Sequence, residues 1–121
     1  MNGKAVINLA TGLEDPERVT VAFLTGVAAA EQGRPTVMFL SKEAVRLVVP
    51  GAAVATACEG CPPLADLLER YRKAGGRYFA CPICVNAKKL DAGALVDGAE
   101  VAGTVPLWEW IGDEGATTFS F

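Results

Sequence analysis

The sequence predicts a three-layer α/β/α sandwich built around a mainly parallel, five-stranded sheet. Segments of strand length alternate with segments of helical periodicity along the whole chain. Such alternation requires the crossover connections that make a sheet parallel. Residues 36–40 form a continuous apolar run, which is typical of a strand covered on both faces. Helix-start signals at aspartate and proline and stop signals at glycine separate the segments.

The first half of the chain is predicted to contain two strands and two helices. Residues 4–9 form a short strand rich in apolar residues, and an aspartate-proline pair then starts a helix over residues 16–33. The apolar run at 36–40 is the second strand. A serine can cap a short helix over 42–48, which a proline-glycine pair ends. Residues 52–57 are predicted to be a loop.

The second half continues the alternation. A helix over 62–74 has its leucines on one face and stops at two glycines, and a strand follows at 77–80. A proline-started helix is predicted over 82–90, with a further helical turn at 91–95. The chain is then predicted to close with a strand, a helix and a strand at 100–102, 105–111 and 117–121.

The composition is that of one globular domain spanning residues 1–121. Hydrophobic residues make up 51% of the chain and charged residues 21%, so a folded core is expected. The net charge of -3 and the lack of a lysine- and arginine-rich run argue against a nucleic-acid partner. No apolar run is long enough for a signal peptide or a membrane span, so we expect a cytoplasmic protein without a membrane partner.

All four cysteines fall in two C-x-x-C units, and each unit lies at the entrance to a helix that a proline starts. The units are Cys58 with Cys61, and Cys81 with Cys84. Cytoplasmic thiols are kept reduced, so such pairs indicate metal binding or thiol chemistry rather than structural disulfides. The absence of histidine excludes Ser-His-Asp and Cys-His catalysis within one chain.

Cys81 is the strongest candidate for a reactive thiol. It lies between the strand at 77–80 and a helix that begins at Pro82, close to the N-cap position. Free backbone N–H groups and the positive end of the helix dipole favour a thiolate there. Cys84 and Lys88 follow at spacings that place them near the same helix face. This arrangement predicts a site for sulfur chemistry.

Three other interpretations of the cysteines follow from the residues. Cys58, Cys61, Cys81 and Cys84 match the spacing of a four-cysteine zinc site, although the chain has ample core without a metal. A thiol-disulfide redox protein would use the C-x-x-C pairs, with the first cysteine as nucleophile and the second resolving it. In a non-catalytic binding protein the cysteines would be structural.

The motifs at 7–16, 38–45, 58–64, 81–84 and 115–121 resemble those of the DsrE/DsrF-like (YchN-like) family of small sulfur-relay proteins. The resemblance covers essentially the whole chain. It implies a five-stranded parallel sheet, assembly as a homotrimer or homohexamer, and a persulfide on the cysteine that follows the strand at 77–80. On this match Cys81 carries the sulfur and Cys84 is a second site cysteine, and no cofactor is implied. A sulfur-donor or sulfur-acceptor protein would be the partner.

Further residues complete the expected site. We expect Cys58 and Cys61 on a loop near it, passing sulfur or electrons to Cys81. Thr11 and Gly12, at the end of the first strand, are expected to border it. Whether the protein is an enzyme, a sulfurtransferase acting through a cysteine persulfide, stays open at this point.

Self-association is expected from the first long helix as well as from the resemblance. This helix is apolar on a second face, formed by Val21, Leu24, Ala28 and Ala29. A trimer is the first expectation and a hexamer the second.

Overall fold

A computed structural model describes residues 3–121 of the chain. Within these residues the strands are β1 (Ala5–Leu9), β2 (Thr36–Leu40), β3 (Arg77–Ala80), β4 (Ala99–Val101) and β5 (Thr117–Ser120). The helices are α1 (Pro16–Glu31), α2 (Ala52–Ala55), α3 (Leu64–Lys73), α4 (Pro82–Ala87) and α5 (Thr104–Ile111), together with a 3₁₀ helix over Lys42–Val48.

The five strands form one wholly parallel sheet in the order β4-β3-β2-β1-β5. Ile7 pairs with Met38, and Met38 pairs with Tyr78, so the three interior strands are in direct register. β2 lies at the centre of the sheet, with β3 on one side of it and β1 on the other. The carboxyl ends of all strands point to one edge, which is where ligands bind in sheets of this kind.

Side chains alternate between two cores, one on each face of the sheet. The larger core joins α1, α3 and the 3₁₀ helix to strand residues that include Ile7, Met38 and Tyr78. The smaller core joins Val37 and Phe79 to α5. The three-layer architecture is therefore confirmed, with every residue of β2 buried as its apolar run predicted.

The two helical layers differ in how well they are buried. Gly26 lets α1 approach the sheet, because a side-chain carbon there would lie 2.5 Å from the Met38 methyl group. α5 has no fully buried residue, and Trp108 is 71% exposed. The second apolar face of α1 also lies outside the core, with Leu24 41% exposed.

Several predicted boundaries were wrong, each for a local reason. The segment 52–57, predicted to be a loop, contains the helix α2, which its alanines favour. The helix predicted from residue 62 begins at Leu64, because Pro63 keeps the residue before it out of helical geometry. The helix predicted over 82–90 ends at Ala87, and 91–95 forms turns without a helix. At Lys89 the backbone turns left-handed, with φ at 55°.

Candidate functional site

Cys81 is held at the carboxyl edge of the sheet by backbone hydrogen bonds on both sides. Its N–H donates to the Leu40 carbonyl at 2.9 Å, which continues the β2–β3 ladder by one residue. Its own carbonyl accepts the Val85 N–H at 3.0 Å and so begins α4 as the N-cap. Pro82 occupies the first helical position, where its missing N–H costs nothing. The thiol is free and partly exposed.

Cys84 lies three residues further on, in the first turn of α4, and its thiol is also free and partly exposed. The backbone N–H of Lys42 donates to the Cys84 sulfur, with 3.1 Å between nitrogen and sulfur. Lys42 adopts a left-handed backbone with φ at 54°, which is uncommon for a residue with a side chain. This hydrogen bond joins the loop after β2 to the first turn of α4.

The sequence placed Lys88 beside the cysteines, and the structure gives it a carboxylate partner. Its ammonium lies 3.7 Å from Glu43 Oε2, and the same oxygen accepts a hydrogen bond from Arg46 Nε at 3.0 Å. The hydrogen bond from Arg46 and the nearby charges of Arg46 and Lys88 lower the pKa of Glu43. The backbone of Lys88 also contacts the turn that carries Cys81 and Cys84, because its N–H donates to the Cys84 carbonyl at 3.1 Å.

The loop after β1 packs against the segment that contacts Cys84. Thr11 is buried, and the Gly12 N–H donates to Glu14 Oε1 at 2.7 Å. A side-chain carbon at Gly12 would collide with the backbone carbonyl of Glu43, one residue beyond Lys42. The loops after β1, β2 and β3 therefore meet at one edge of the sheet, with Gly12 allowing the closest approach.

Cys58 and Cys61 form a disulfide on the loop between α2 and α3. The expectation that the C-x-x-C pairs would be thiols rather than disulfides was wrong for this pair. The turn brings the two Cα atoms to 5.4 Å, which is within bridging range. The disulfide lines a mostly apolar recess of about 300 Å³ with Pro62 and Pro63, and Cys58 Sγ lies 3.7 Å from the Thr20 hydroxyl.

The structure does not bring the four cysteines together as a zinc site would require. Two of the four sulfurs are bonded to each other, so they are not free thiolate ligands. Across residues 3–121 there is no group of three or more His, Cys, Asp or Glu side chains placed to hold a metal ion. These residues do not fit a four-thiolate tetrahedral centre.

The part that the loop after β2 contributes to the site was not predicted from the sequence. Lys42 and Glu43 link this loop to Cys84 and Lys88. A signal for this contact was present, because neighbouring parallel strands end at the same edge and residues 41–43 follow β2 just as residues 81–84 follow β3.

Among the helices of the described chain, none combines the length and apolar character needed to cross a membrane.

Solved structures match this fold over nearly the whole chain. The YchN protein from E. coli is 20% identical with a TM-score of 0.78, and the match covers 98% of this chain and 99% of that chain. MTH1491 from Methanobacterium thermoautotrophicum, described as a protein of unknown function, is 15% identical with a TM-score of 0.72, with 98% and 99% covered. At these identities the likeness establishes the fold.

Among curated proteins, no sequence matches the chain. The model of the DsrE/DsrF-like family matches residues 4–121. That match includes every strand of the sheet and both C-x-x-C units. The chain belongs to the DsrE/DsrF-like family.

Proposed function

We propose that this protein is a cysteine-based sulfur carrier in which Cys81 takes up a sulfane sulfur as a persulfide. The observation that carries the proposal is the cysteine turn at the end of β3. It presents two free, partly exposed thiols, and a backbone N–H from the neighbouring loop points at one of them. Membership of the DsrE/DsrF-like family supports the same chemistry.

Loading transfers one neutral sulfur atom. The Cys81 thiolate attacks the outer sulfur of a donor persulfide, R–S–SH, so a new S–S bond forms on Cys81 as the donor bond breaks. The donor leaves as the thiolate R–S⁻, and Cys81 becomes Cys81–S–SH. Unloading is the same exchange with an acceptor thiolate, which restores the Cys81 thiolate. The protein would act as a sulfurtransferase if donor and acceptor are different molecules.

Cys84 is the resolving partner in this proposal. Its thiolate attacks the inner sulfur of the Cys81 persulfide and forms a Cys81–Cys84 disulfide. The outer sulfur leaves as hydrosulfide, and the two electrons that it gains come from the two cysteine sulfurs. An external thiol must then reduce the disulfide before the next cycle. The N–H of Lys42 donates to the Cys84 sulfur and so fixes its position beside the loop after β2.

The test is intact-mass spectrometry after the protein is exposed to glutathione persulfide near neutral pH. We expect the wild type and Cys58→Ser to gain the mass of one sulfur atom, and Cys81→Ser to gain none. Cys84→Ser should hold its added sulfur longer than the wild type, because the resolving thiol is missing. Loading that survives in Cys81→Ser and disappears in Cys58→Ser would refute the proposal.

A second candidate function is thiol-disulfide exchange between the two cysteine pairs. It is favoured by their different oxidation states, since Cys58 and Cys61 are bonded while Cys81 and Cys84 are free thiols. A free Cys81 thiolate could attack a disulfide sulfur, form a mixed disulfide and release the second sulfur as a thiolate. In the double variant Cys61→Ser, Cys84→Ser, added oxidised glutathione supplies the oxidant. Cys58 displaces one glutathione thiolate and forms a mixed disulfide with the other glutathione, and Cys81 then displaces that second glutathione as its thiolate. Trapping the resulting Cys81–Cys58 disulfide would support this function, and its absence would remove it.

We also propose that the chain assembles as a homotrimer, or failing that as a homohexamer, through the outer face of α1. Leu24 and Val21 are exposed there at 41% and 46%, and Phe119 on the edge strand β5 is 49% exposed. An open recess between α1 and β5 adjoins this face and is lined by Ala28 and Phe119. Sedimentation that shows only monomer at micromolar concentration would contradict the assembly.

The other partners in this proposal are a sulfur-donor and a sulfur-acceptor protein, in a cytoplasmic sulfur relay. The cytoplasm keeps thiols such as Cys81 and Cys84 reduced, as the loading step requires. Co-purification of the wild type with a protein that loses its persulfide to Cys81 would identify the donor.

A further inference from the structure

A groove of about 450 Å³ lies between α2, α3 and the loop that precedes β4. The apolar part of its walls includes Ala53, Ala65, Leu68 and Val96. Neither Cys81 nor Cys84 lines it. The volume is within the range of sites that take small organic molecules, which are typically apolar with a few placed polar groups.

Tyr78 gives this groove a polar group. Its side chain is 1% exposed and packs against the rings of Tyr71 and Phe23, with centroids 5.0 Å and 6.2 Å away. Within residues 3–121 the Tyr78 hydroxyl makes no hydrogen bond. No fully enclosed side-chain oxygen or nitrogen in this part of the chain lacks a partner, so the hydroxyl must reach the groove that Tyr78 lines.

The neighbouring Tyr71 differs from Tyr78 in the hydrogen bonding of its hydroxyl. It is equally buried, and its hydroxyl donates to the Arg77 carbonyl at 2.8 Å. The fold therefore satisfies one buried phenol internally and leaves the hydroxyl of its neighbour at the groove. Burial raises the pKa of Tyr78 above its ordinary value, so near neutral pH the phenol is protonated and able to donate.

Charges at the rim limit what can enter. Arg72 is engaged by Glu69 through two N–H donors at 3.0 and 2.6 Å. Asp97 lines the groove as well, and its charge also acts on Arg72. The charged side chains that line the groove are therefore two carboxylates and one guanidinium, which leaves one net negative charge and disfavours anions.

We infer that this groove binds a small uncharged molecule with an apolar body and a hydrogen-bond acceptor that the Tyr78 hydroxyl reaches. The apolar walls would cover the body of the molecule, and the phenol would fix its orientation. This site does not depend on the proposed sulfur chemistry, because none of its lining residues belongs to the cysteine turn.

The experiment is a titration of the ¹⁵N-labelled full chain with benzamide, followed by amide NMR. Benzamide is uncharged and offers an aromatic ring and a carbonyl acceptor. We expect shifts at the amides of Leu95 and Val96, with a Kd of about 1 mM, as is usual for so small a probe. Benzoate at the same concentrations should leave these amides unshifted, because the rim repels its carboxylate.

Two variants and one control decide the role of the phenol. Tyr78→Phe should weaken benzamide binding about five- to tenfold, because one buried hydrogen bond is lost. Ala65→Trp, at an exposed position of the wall, should abolish binding by filling the groove. Tyr71→Phe is the matched control and should bind benzamide as the wild type does.

Either of two results would overturn the inference. The first is the absence of groove shifts at several times the expected Kd in a protein whose spectrum shows it folded. The second is an unchanged Kd in Tyr78→Phe, which would mean that water alone partners the hydroxyl. Equal binding of benzoate and benzamide would overturn the assigned ligand class.

Discussion

Replacing Tyr71 by phenylalanine should reduce the free energy of unfolding by about 1–3 kcal/mol, while the same change at Tyr78 should cost less than about 0.5 kcal/mol. Both rings are essentially inaccessible to solvent, and both substitutions keep the ring. They differ in the hydroxyl. That of Tyr71 donates to the Arg77 carbonyl at 2.8 Å and lies 3.4 Å from the Thr36 carbonyl. Its removal leaves a buried acceptor without that donor.

The assay is urea unfolding at neutral pH, followed by far-ultraviolet circular dichroism. Both variants should unfold with the wild-type slope against denaturant, so the shift in midpoint reports stability alone. Only Tyr71→Phe should shift it clearly. Equal losses in the two variants would refute the reasoning, because the Tyr78 hydroxyl would then also have a stabilising partner in the folded protein.

Three further outcomes test other parts of the structure. Burial raises the pKa of Tyr71 and Tyr78, so above about pH 10 only the unfolded chain releases their protons. The free energy of unfolding should therefore fall with rising pH, by up to about 2.7 kcal/mol per pH unit for the two groups together. A free energy of unfolding that stays constant in this alkaline range would contradict the argument. Gly12→Ala should lower the free energy of unfolding by about 1–3 kcal/mol, because the added carbon would collide with the backbone of Glu43. Gly93→Ala is the control and should lower it little, because its added carbon would meet only a side-chain atom at 3.4 Å. Equal losses in the two variants would count against the packing of the loop after β1. Leu24→Arg should convert the proposed oligomer to monomer in sedimentation while its helical content is kept. Val54→Arg, on the exposed side of α2, is the control that should not change the assembly. An unchanged assembly in Leu24→Arg would exclude the outer face of α1 as the interface.

The fold was predictable because its strongest signals are local and agree with one another. β2 and β3 were predicted to the residue, since each is a continuous run bounded by clear turn or helix-start residues. The alternation of strands and helices then fixed a parallel sheet. α2 was missed because four residues are too few to show helical periodicity.

The candidate site was less predictable, because part of it is made of backbone. Cys81 at the strand-helix junction followed from sequence, and the structure places it there. The donor to Cys84 is the main-chain N–H of Lys42, which leaves no side-chain signature and depends on a left-handed φ. The Cys58–Cys61 disulfide was not predicted. Free thiols were expected there because cytoplasmic cysteines are kept reduced, and that expectation took no account of how close the turn brings the two residues.

Site mapping in the wild-type protein tests the central claim most directly. The protein is loaded with glutathione persulfide, the added sulfur is trapped by alkylation, and the peptides that contain residues 58–61 and 81–84 are sequenced by tandem mass spectrometry. The persulfide should be found on Cys81. Any Cys81–Cys84 disulfide should increase in amount as hydrosulfide is released. Added sulfur found on Cys58 or Cys61 while Cys81 stays a simple thiol would contradict the account.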